Sequence, residues 1–416
     1  MGPTELRARF ARSLSELYGS EVPAYTTLVD ACEHVNAEVL ERRGEDAERL
    51  GSIQRVTAER HGAIRVGTAA ELAQVGRVFG ACGMYPVGFY DLREATPPIP
   101  VVSTAFRPTS RLELAENPFR VFTSVLVVDD RRFFDERTEA QLREFLDART
   151  LFPDELLDLA DRMESEHELS HDQADRFLEL ATASFALSDE PVDRTWYEHL
   201  ESISSVAADI GGVTSTHINH LTPRVLDIDA LYARMGELGV EMIDRIQGPP
   251  RVEPGQGVDV LLRQTSFRAL DEPRRFREAD GSVVEGRLRV RFGEVEARGV
   301  ALTPAGRNLY DGRGFRAFPT TDEDLHRTGL AYYTRDHAGR LQPIVYEDFL
   351  PKSAAGIFAS NLTSDGTADT RRRASVRDAA WMQEALGREL HDPYALYERE
   401  RGGGRGSYST RSMTDL

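Results

Sequence analysis

The chain has 416 residues, a formal net charge of −18 at pH 7, and 40% hydrophobic and 29% charged residues. This length is enough for two or more structural units with a large core. The acidic balance argues against nucleic-acid binding, which needs a basic surface. The sequence contains no apolar run of membrane-spanning length and begins without the apolar core of a secretory signal, so we expect a cytoplasmic protein that does not bind membranes. The sequence does not indicate an oligomeric state.

The two cysteines limit the metal chemistry that is open to the protein. Cys32 and Cys82 are too few for a thiolate zinc site or a disulfide framework, and we interpret both as small buried side chains. Any metal site must therefore be built from imidazole and carboxylate groups.

A weak internal repeat organises the sequence. Its first copy belongs to a predicted unit, 1–130, that begins with N-terminal helices. Residues 61–66 alternate like a strand, Thr68 and Glu71 have capping-box spacing for a following helix, and Gly83 ends that helix. Three more strands are predicted, in 84–92, PIPVVSTAF and PFRVFTSVLVV.

The second copy lies in a predicted unit, 211–311. Residues 218–221 are strand-like, Asp227 or Asp229 can cap the next helix, and 240–246 is a predicted strand. The last two strands are predicted in VDVLLRQTSFRAL and LRVRFGEVEARGVAL, joined by the charged, hairpin-like EPRRFREADGSVVEG. Both copies have the order βαβββ. We therefore expect an α+β fold in which two such modules form a curved, half-open barrel.

Two further segments complete the predicted organisation. Residues 131–210 are rich in Glu, Asp, Leu and Arg with helical periodicity, which predicts a helical insertion. Residues 312–416 form a C-terminal extension with a helix around 379–386. Its final RGGGRGSYSTRSMTDL predicts a disordered tail from about residue 401.

The strand that opens each copy carries a histidine, His61 in the first and His220 in the second. A non-haem iron(II) site of the facial type needs two imidazoles and one carboxylate. Strand alternation puts Glu294 and Glu296 on one face, where two acids are costly unless a cation or an arginine holds them. A lone strand histidine is usually a core residue, but the matched positions and the acidic strand together favour a metal site.

Two of these ligand positions have competitors. His217 competes with His220, and because the two are an odd number of residues apart, one of them should face the other side of the strand. Glu296 competes with Glu294, or it pairs with Arg298 instead.

Substrate contacts are predicted at two places. Arg65 lies four residues after His61, so a straight strand points both side chains the same way. Two interpretations are equally open: Arg65 is a bidentate clamp for a substrate carboxylate, or it is the ion-pair partner of Glu294 or Glu296. The segment KSAAGIF, with Lys352 and Ser353, has small residues that let backbone approach a ligand, or it is a tightly packed loop.

Four motifs in order, HGAIRVGT, THINHLTPR, RFGEVEARGVALTPAGRNLYD and YEDFLPKSAAGIFASNL, together resemble the 2-oxoadipate dioxygenase/decarboxylase family, also called hydroxyglutarate synthase. The resemblance covers about 61–361. The family is similar to the vicinal-oxygen-chelate superfamily, in agreement with the βαβββ repeat. It implies an Fe(II) site of His61, His220 and Glu294. FGEVEARG resembles the F-x-E-x-x-Q-R pattern of hydroxyphenylpyruvate dioxygenases, which favours Glu294 over Glu296, with Ala297 in place of the Gln.

The resemblance also implies the reaction. A 2-oxo dicarboxylic acid, 2-oxoadipate, would react with O₂ to give 2-hydroxyglutarate and CO₂ in lysine degradation. Arg65 would bind the distal carboxylate, and Ser353 and Lys352 would lie at the substrate, so that the C-terminal extension completes the active site. Two other functions remain open: another metal-dependent enzyme of this fold, an isomerase or a ring-cleaving dioxygenase, and a non-catalytic protein that binds a small ligand.

Overall fold

The computed structural model describes residues 1–253, 256–289, 291–350, 357, 361, 368–369, 371–372 and 374–402. Two predicted substrate contacts, Lys352 and Ser353, lie outside the described residues, as does 403–416 of the predicted tail. Arg401, where we expected the tail to begin, is the last residue of a helix. Within the described ranges, no helix is both long enough and apolar enough to cross a membrane.

The fold combines many helices with short strands. The α-helices are α1 (Pro3–Glu21), α2 (Pro23–Arg43), α3 (Ile53–Ala58), α4 (Ala69–Ala81), α5 (Arg111–Glu116), α6 (Glu136–Ala148), α7 (Asp154–Glu166), α8 (His171–Ser184), α9 (Arg194–Ile203), α10 (Ser205–Gly211), α11 (Ile228–Glu237), α12 (Pro304–Arg313), α13 (Asp322–Arg327), α14 (Ala379–Leu386) and α15 (Pro393–Arg401). Short 3₁₀ helices span Gly44–Glu48, Leu92–Glu94 and Phe315–Ala317. The strands are β1 (Arg60–Val66), β2 (Tyr85–Asp91), β3 (Val101–Arg107), β4 (Arg120–Leu126), β5 (Val192–Asp193), β6 (His220–Pro223), β7 (Leu262–Ser266), β8 (Asp271–Arg277), β9 (Val283–Arg289), β10 (Glu294–Arg298), β11 (Tyr333–Arg335) and β12 (Leu341–Pro343).

The elements predicted for the first repeat copy are confirmed. Helix α4 begins with the expected capping box: Thr68 Oγ1 accepts a hydrogen bond from Glu71 N at 3.1 Å, and Glu71 Oε2 accepts one from Thr68 N at 3.2 Å. The box satisfies backbone N–H groups that the first turn leaves free. After the helix, Gly83 has φ +64°, a conformation that glycine adopts at little cost.

The main sheet has five strands in the order β2-β3-β4-β1-β6. Strands β1 and β4 are parallel, and the other neighbours are antiparallel. Strands β7 and β10 form an antiparallel pair, and a parallel bridge between Arg224 and Glu296 links the end of β6 to β10. The described strands do not close into a barrel. The α+β class is confirmed.

The second repeat copy differs from its prediction in one strand. Asp227 caps α11 by accepting from Ala230 N at 3.1 Å, which resolves the choice of cap. The predicted strand 240–246 is wrong as a continuous strand, because Met242 forms only an isolated bridge to Phe267, and Gln247, just after the segment, forms another to Gln264. The segment from Met242 to Gln247 spans five residue steps, whereas the opposing segment from Gln264 to Phe267 spans three. The two extra residues interrupt the ladder. The charged connection is a hairpin of β8 and β9, as expected.

Helices cover both faces of the main sheet. The segment 131–210 is helical as predicted and contains α6 to α10. The outer face of the sheet, with Ile64 and Val121, packs in one core with α1, α4, α7 and α8. The inner face, with Ala63 and Phe122, packs in a second core with residues of α6, α9 and α10. The candidate site lies on this inner face.

Candidate metal centre

Three side chains from three neighbouring strands converge on the inner face. His61 lies on β1, His220 begins β6 and Glu294 begins β10. Their donor atoms all lie within 4.8 Å of one another, and all three residues are buried. His61 Nε2 is 3.4 Å from Glu294 Oε2, and His220 Nδ1 is 3.3 Å from Glu294 Oε1.

Strand register explains why these residues meet although they are far apart in sequence. His220 pairs with Ala63 in the antiparallel β1–β6 ladder, two residues from His61. The parallel bridge from Arg224 to Glu296 brings β10 beside β6. Because alternate residues of a strand share a face, the three side chains point into the same interior.

The donor set fits a divalent transition metal. Among the described residues, the nitrogens His61 Nε2 and His220 Nε2 have no hydrogen-bond partner, although both are buried. Two imidazoles and a carboxylate are the donors of the facial iron(II) site. Burial lowers the pKa of His220 to about 4, against the opposing effect of Glu294, so His220 is neutral at pH 7, the form that binds metal.

Aromatic rings enclose the two histidines. The Phe349 ring lies edge-on to His61 with ring centroids 5.0 Å apart, and Phe292 lies 5.5 Å from the His220 ring. Phe349 also contacts Phe122 of β4, at 5.1 Å. These rings keep water from the histidines and lower the local dielectric constant, which strengthens charge interactions.

Glu296 shares the face of Glu294, as strand alternation predicted, but it contacts the other side of His61. Its Oε2 is 3.0 Å from His61 Nδ1. Arg298 donates to both Glu296 oxygens, at 2.7 and 2.9 Å, which confirms the predicted partnership with Arg298. Burial opposes ionisation of Glu296, but Arg298 and His61 outweigh it and lower the pKa to about 2. For His61, burial lowers the pKa, but the neighbouring carboxylates Glu296 and Glu294 outweigh burial and raise the pKa above its ordinary value.

His217 does not join the donor group. Its Nε2 is 3.2 Å from Asp209 Oδ1 and 3.2 Å from Asn219 Nδ2. The parity argument that set it on the opposite face from His220 does not apply, because the regular strand begins only at His220. His217 is buried, and its contacts lie with the partners of Arg65.

Arg65 pairs with an acid that the sequence did not suggest. Its guanidinium donates to Asp209 of α10, not to Glu294 or Glu296. Asn219 Nδ2 also donates to Asp209, at 2.9 Å. Burial disfavours the charged Asp209, but His217 and Arg65 outweigh burial and lower its pKa. The helical segment 131–210 thus contributes an anion that fixes the orientation of Arg65.

A buried network of charges lies behind His61, and sequence reasoning missed it. Glu59 is fully buried and accepts from Arg120 and Arg224, each at 2.8 Å. Arg298 is 3.2 Å from Glu59, so it connects Glu59 to Glu296. Further members are Arg55 and Glu347, which pair with each other. The available signal was a charged residue beside three apolar strands: Glu59 precedes β1, Arg120 begins β4 and Arg224 follows β6.

The fold and the buried His–His–Glu cluster define a class, an α+β protein with mixed sheets and a candidate metal site. A putative glyoxalase-superfamily protein from Ralstonia eutropha JMP134 has a similar fold, with a TM-score of 0.53 and 19% identity over 72% of this chain and 84% of that chain. This likeness is consistent with a fold of the vicinal-oxygen-chelate type.

Closer similarities identify the family. The family model for 2-oxoadipate dioxygenase/decarboxylase matches residues 10–361. A Mycobacterium tuberculosis protein of that name is 57% identical over 403 residues, 95% of this chain and 96% of the relative. The hydroxyglutarate synthase of Pseudomonas putida, solved in complex with 2-oxoadipate, has a TM-score of 0.83 and 35% identity over 97% of this chain and 96% of that chain. The chain belongs to the 2-oxoadipate dioxygenase/decarboxylase family of enzymes, which confirms the resemblance in the sequence.

Proposed function

We propose that this chain is an Fe(II)-dependent dioxygenase that converts 2-oxoadipate and O₂ into 2-hydroxyglutarate and CO₂, as a step in lysine degradation. The observation that carries the proposal is the convergence of donor atoms from His61, His220 and Glu294 within 4.8 Å. Membership of a family named for this reaction supports the substrate. So does the 2-oxoadipate bound to the P. putida enzyme.

In this proposal the metal ligands are His61, His220 and Glu294. A ferrous ion bound by these three residues would supply the redox chemistry of the reaction. The chain's own contribution is to orient the ligands and exclude water. Glu296 holds His61 from behind, and Phe349 covers the ring.

Substrate orientation is assigned to Arg65. Its fork can bind the distal carboxylate of the 2-oxo acid in a bidentate manner. Asp209 contacts one side of the guanidinium and fixes its position. Ser353 and Lys352 are proposed to approach the substrate from the C-terminal extension.

We also propose that the sheets derive from two βαβββ modules that form a half-open barrel, within the units 1–130, 131–210, 211–311 and 312–416. The first module is β1-α4-β2-β3-β4. The second is β6, α11, the bridged segment 242–247, β7 and β10. The first and last strands of each are parallel neighbours, through β1–β4 in one and the bridge Arg224–Glu296 in the other. This common pattern supports the duplication.

The test is oxygen uptake and CO₂ release with Fe(II) and 2-oxoadipate, with the product identified by mass spectrometry. His61→Ala, His220→Ala and Glu294→Ala should each abolish stoichiometric metal binding and turnover. His217→Ala is the matched control and should retain the metal, since His217 contacts Asp209 instead.

Other outcomes would reject the proposal. Activity with zinc or nickel and no CO₂ release would favour an isomerase or a ring-cleaving dioxygenase. Substoichiometric metal after purification without chelator, and no thermal stabilisation on anaerobic addition of Fe(II), would favour a ligand-binding protein without catalysis.

A further inference from the structure

Side chains on the inner face of the main sheet form rows that run across the strands. Neighbouring residues in a ladder project to the same face, so the rows follow from the register. Three successive rows pair β1 with β4: His61 with Arg120, Ala63 with Phe122, and Arg65 with Ser124. The first row carries the candidate metal ligand, the second is apolar, and the third is polar.

The middle row is a short apolar strip. Ala63 and Phe122 belong to one buried core with Ala105 of β3, and Phe349 covers Phe122. Arg65 lies four residue steps along the strand from His61, so their Cα atoms are about 13 Å apart at roughly 3.3 Å per residue. A ligand with a carboxylate at each end and a methylene chain between them would match this polar–apolar–polar order.

The third row contains a buried pair of hydroxyls. Ser124 Oγ lies 2.8 Å from Ser103 Oγ of β3, and both residues are buried. Each hydroxyl carries one proton, so one serine donates to the other and the second proton needs a different acceptor. In the described part of the chain, neither hydroxyl has another hydrogen-bond partner. The pair therefore offers one donor on the same row as Arg65.

Arg65 alone is an incomplete receptor for a carboxylate. Its contact with Asp209 offsets part of its charge, so an additional uncharged donor would strengthen binding of an anion without adding a buried charge. A hydroxyl that donates to a carboxylate forms a charge-assisted hydrogen bond.

We propose that Ser124, supported by Ser103, is a specificity residue that donates a hydrogen bond to the distal carboxylate of the substrate beside Arg65. The inference rests on the proposed function, because it takes a 2-oxo dicarboxylic acid as the substrate class. Ser124 would be a second carboxylate-binding group beside Arg65, and it would favour dicarboxylic over monocarboxylic 2-oxo acids.

The test measures binding without turnover. The Fe(II)-loaded protein is titrated anaerobically with 2-oxoadipate and with 2-oxohexanoate, which has the same chain length but no distal carboxylate. Ser124→Ala should raise the Kd for 2-oxoadipate about tenfold and leave the Kd for 2-oxohexanoate unchanged. Ser103→Ala should act in the same direction but less.

Two further variants serve as controls. Thr123→Val removes a buried hydroxyl from the same strand, and Thr123 is flanked by Val121 and Val125 of the helix-facing core. It should change neither Kd. Ser124→Thr keeps a hydroxyl and should restore the preference for 2-oxoadipate, which separates a lost donor from a general disturbance of the fold.

Several outcomes would overturn the inference: equal weakening of both acids by Ser124→Ala, an unchanged Kd for 2-oxoadipate, or a wild-type protein that does not prefer 2-oxoadipate. Failure of the proposed reaction has a different signature. Selective binding of 2-oxoadipate that depends on Ser124, with no CO₂ released in air, would reject the reaction and support the specificity residue.

Discussion

Glu296 contacts the imidazole of His61 on the edge opposite to Glu294. The distance from Glu296 Oε2 to His61 Nδ1 is 3.0 Å, and His61 Nε2 is 3.4 Å from Glu294 Oε2. Arg298 fixes Glu296 through both carboxylate oxygens. A carboxylate in this position would stabilise a proton on Nδ1 and leave the Nε2 lone pair for a metal.

The first prediction concerns this contact. Glu296→Gln keeps the shape of the side chain but removes its charge, so we expect metal affinity to fall about 10- to 100-fold. Competition titration with Zn(II) or Co(II) measures the change without any need for turnover. Glu285→Gln on exposed β9 is the control and should leave affinity unchanged. Wild-type affinity in Glu296→Gln would show that Glu296 only neutralises Arg298.

The second prediction separates the charge of Arg65 from its geometry. Arg65→Lys keeps the positive charge beside Asp209 but loses the planar fork, so the KM for 2-oxoadipate should rise about tenfold or more with metal affinity unchanged. Arg327→Ala, at an exposed position, is the control. If Arg65→Lys and Arg327→Ala gave the same KM, the clamp assignment would be wrong.

The third prediction concerns the buried charges behind the site. Glu59→Gln removes the negative charge that Arg120 and Arg224 share and leaves these buried arginines short of a counter-charge. We expect the free energy of unfolding to fall by about 3–5 kcal/mol in urea denaturation. Glu38→Gln, on an exposed helix position, should cost less than about 0.5 kcal/mol. A small effect of Glu59→Gln would mean that the network tolerates the loss of its central anion.

The fourth prediction is a pH dependence of stability. Burial and the nearby Glu347 carboxylate raise the pKa of Glu400 to about 7, against the opposing effect of Arg111. A folded-state pKa above the unfolded value of about 4.3 means that ionisation of Glu400 costs stability increasingly as pH rises to 7, and that the cost is constant above it.

Glu400→Gln removes this cost. The variant should match wild type near pH 4 and exceed its free energy of unfolding by about 3–4 kcal/mol at pH 8. Urea denaturation at the two pH values measures the difference. An equal gain at both pH values would indicate an effect of packing and not of ionisation.

Local sequence patterns determined many of the elements around the site. Thr68 and Glu71 form the capping box because both partners lie within one helical turn. The alternation of Glu294 and Glu296 placed both on one face, because the strand has a period of two residues. The repeat also singled out His61 and His220 among the ten histidines. The capping box and the alternation follow from interactions over a few residues, and the repeat from the similarity of two local patterns.

Which of these residues come into contact depends on long-range packing. Arg65 pairs with Asp209, which lies 144 residues away in sequence on a helix of the 131–210 segment. The predicted strand 240–246 forms only an isolated bridge. Strand β6 begins at His220, so His217 lies before the strand and contacts a different partner. Such contacts depend on the register between strands that are distant in sequence and on breaks in their ladders. They also depend on the counter-charge that each buried charge requires. A local sequence pattern encodes none of these factors.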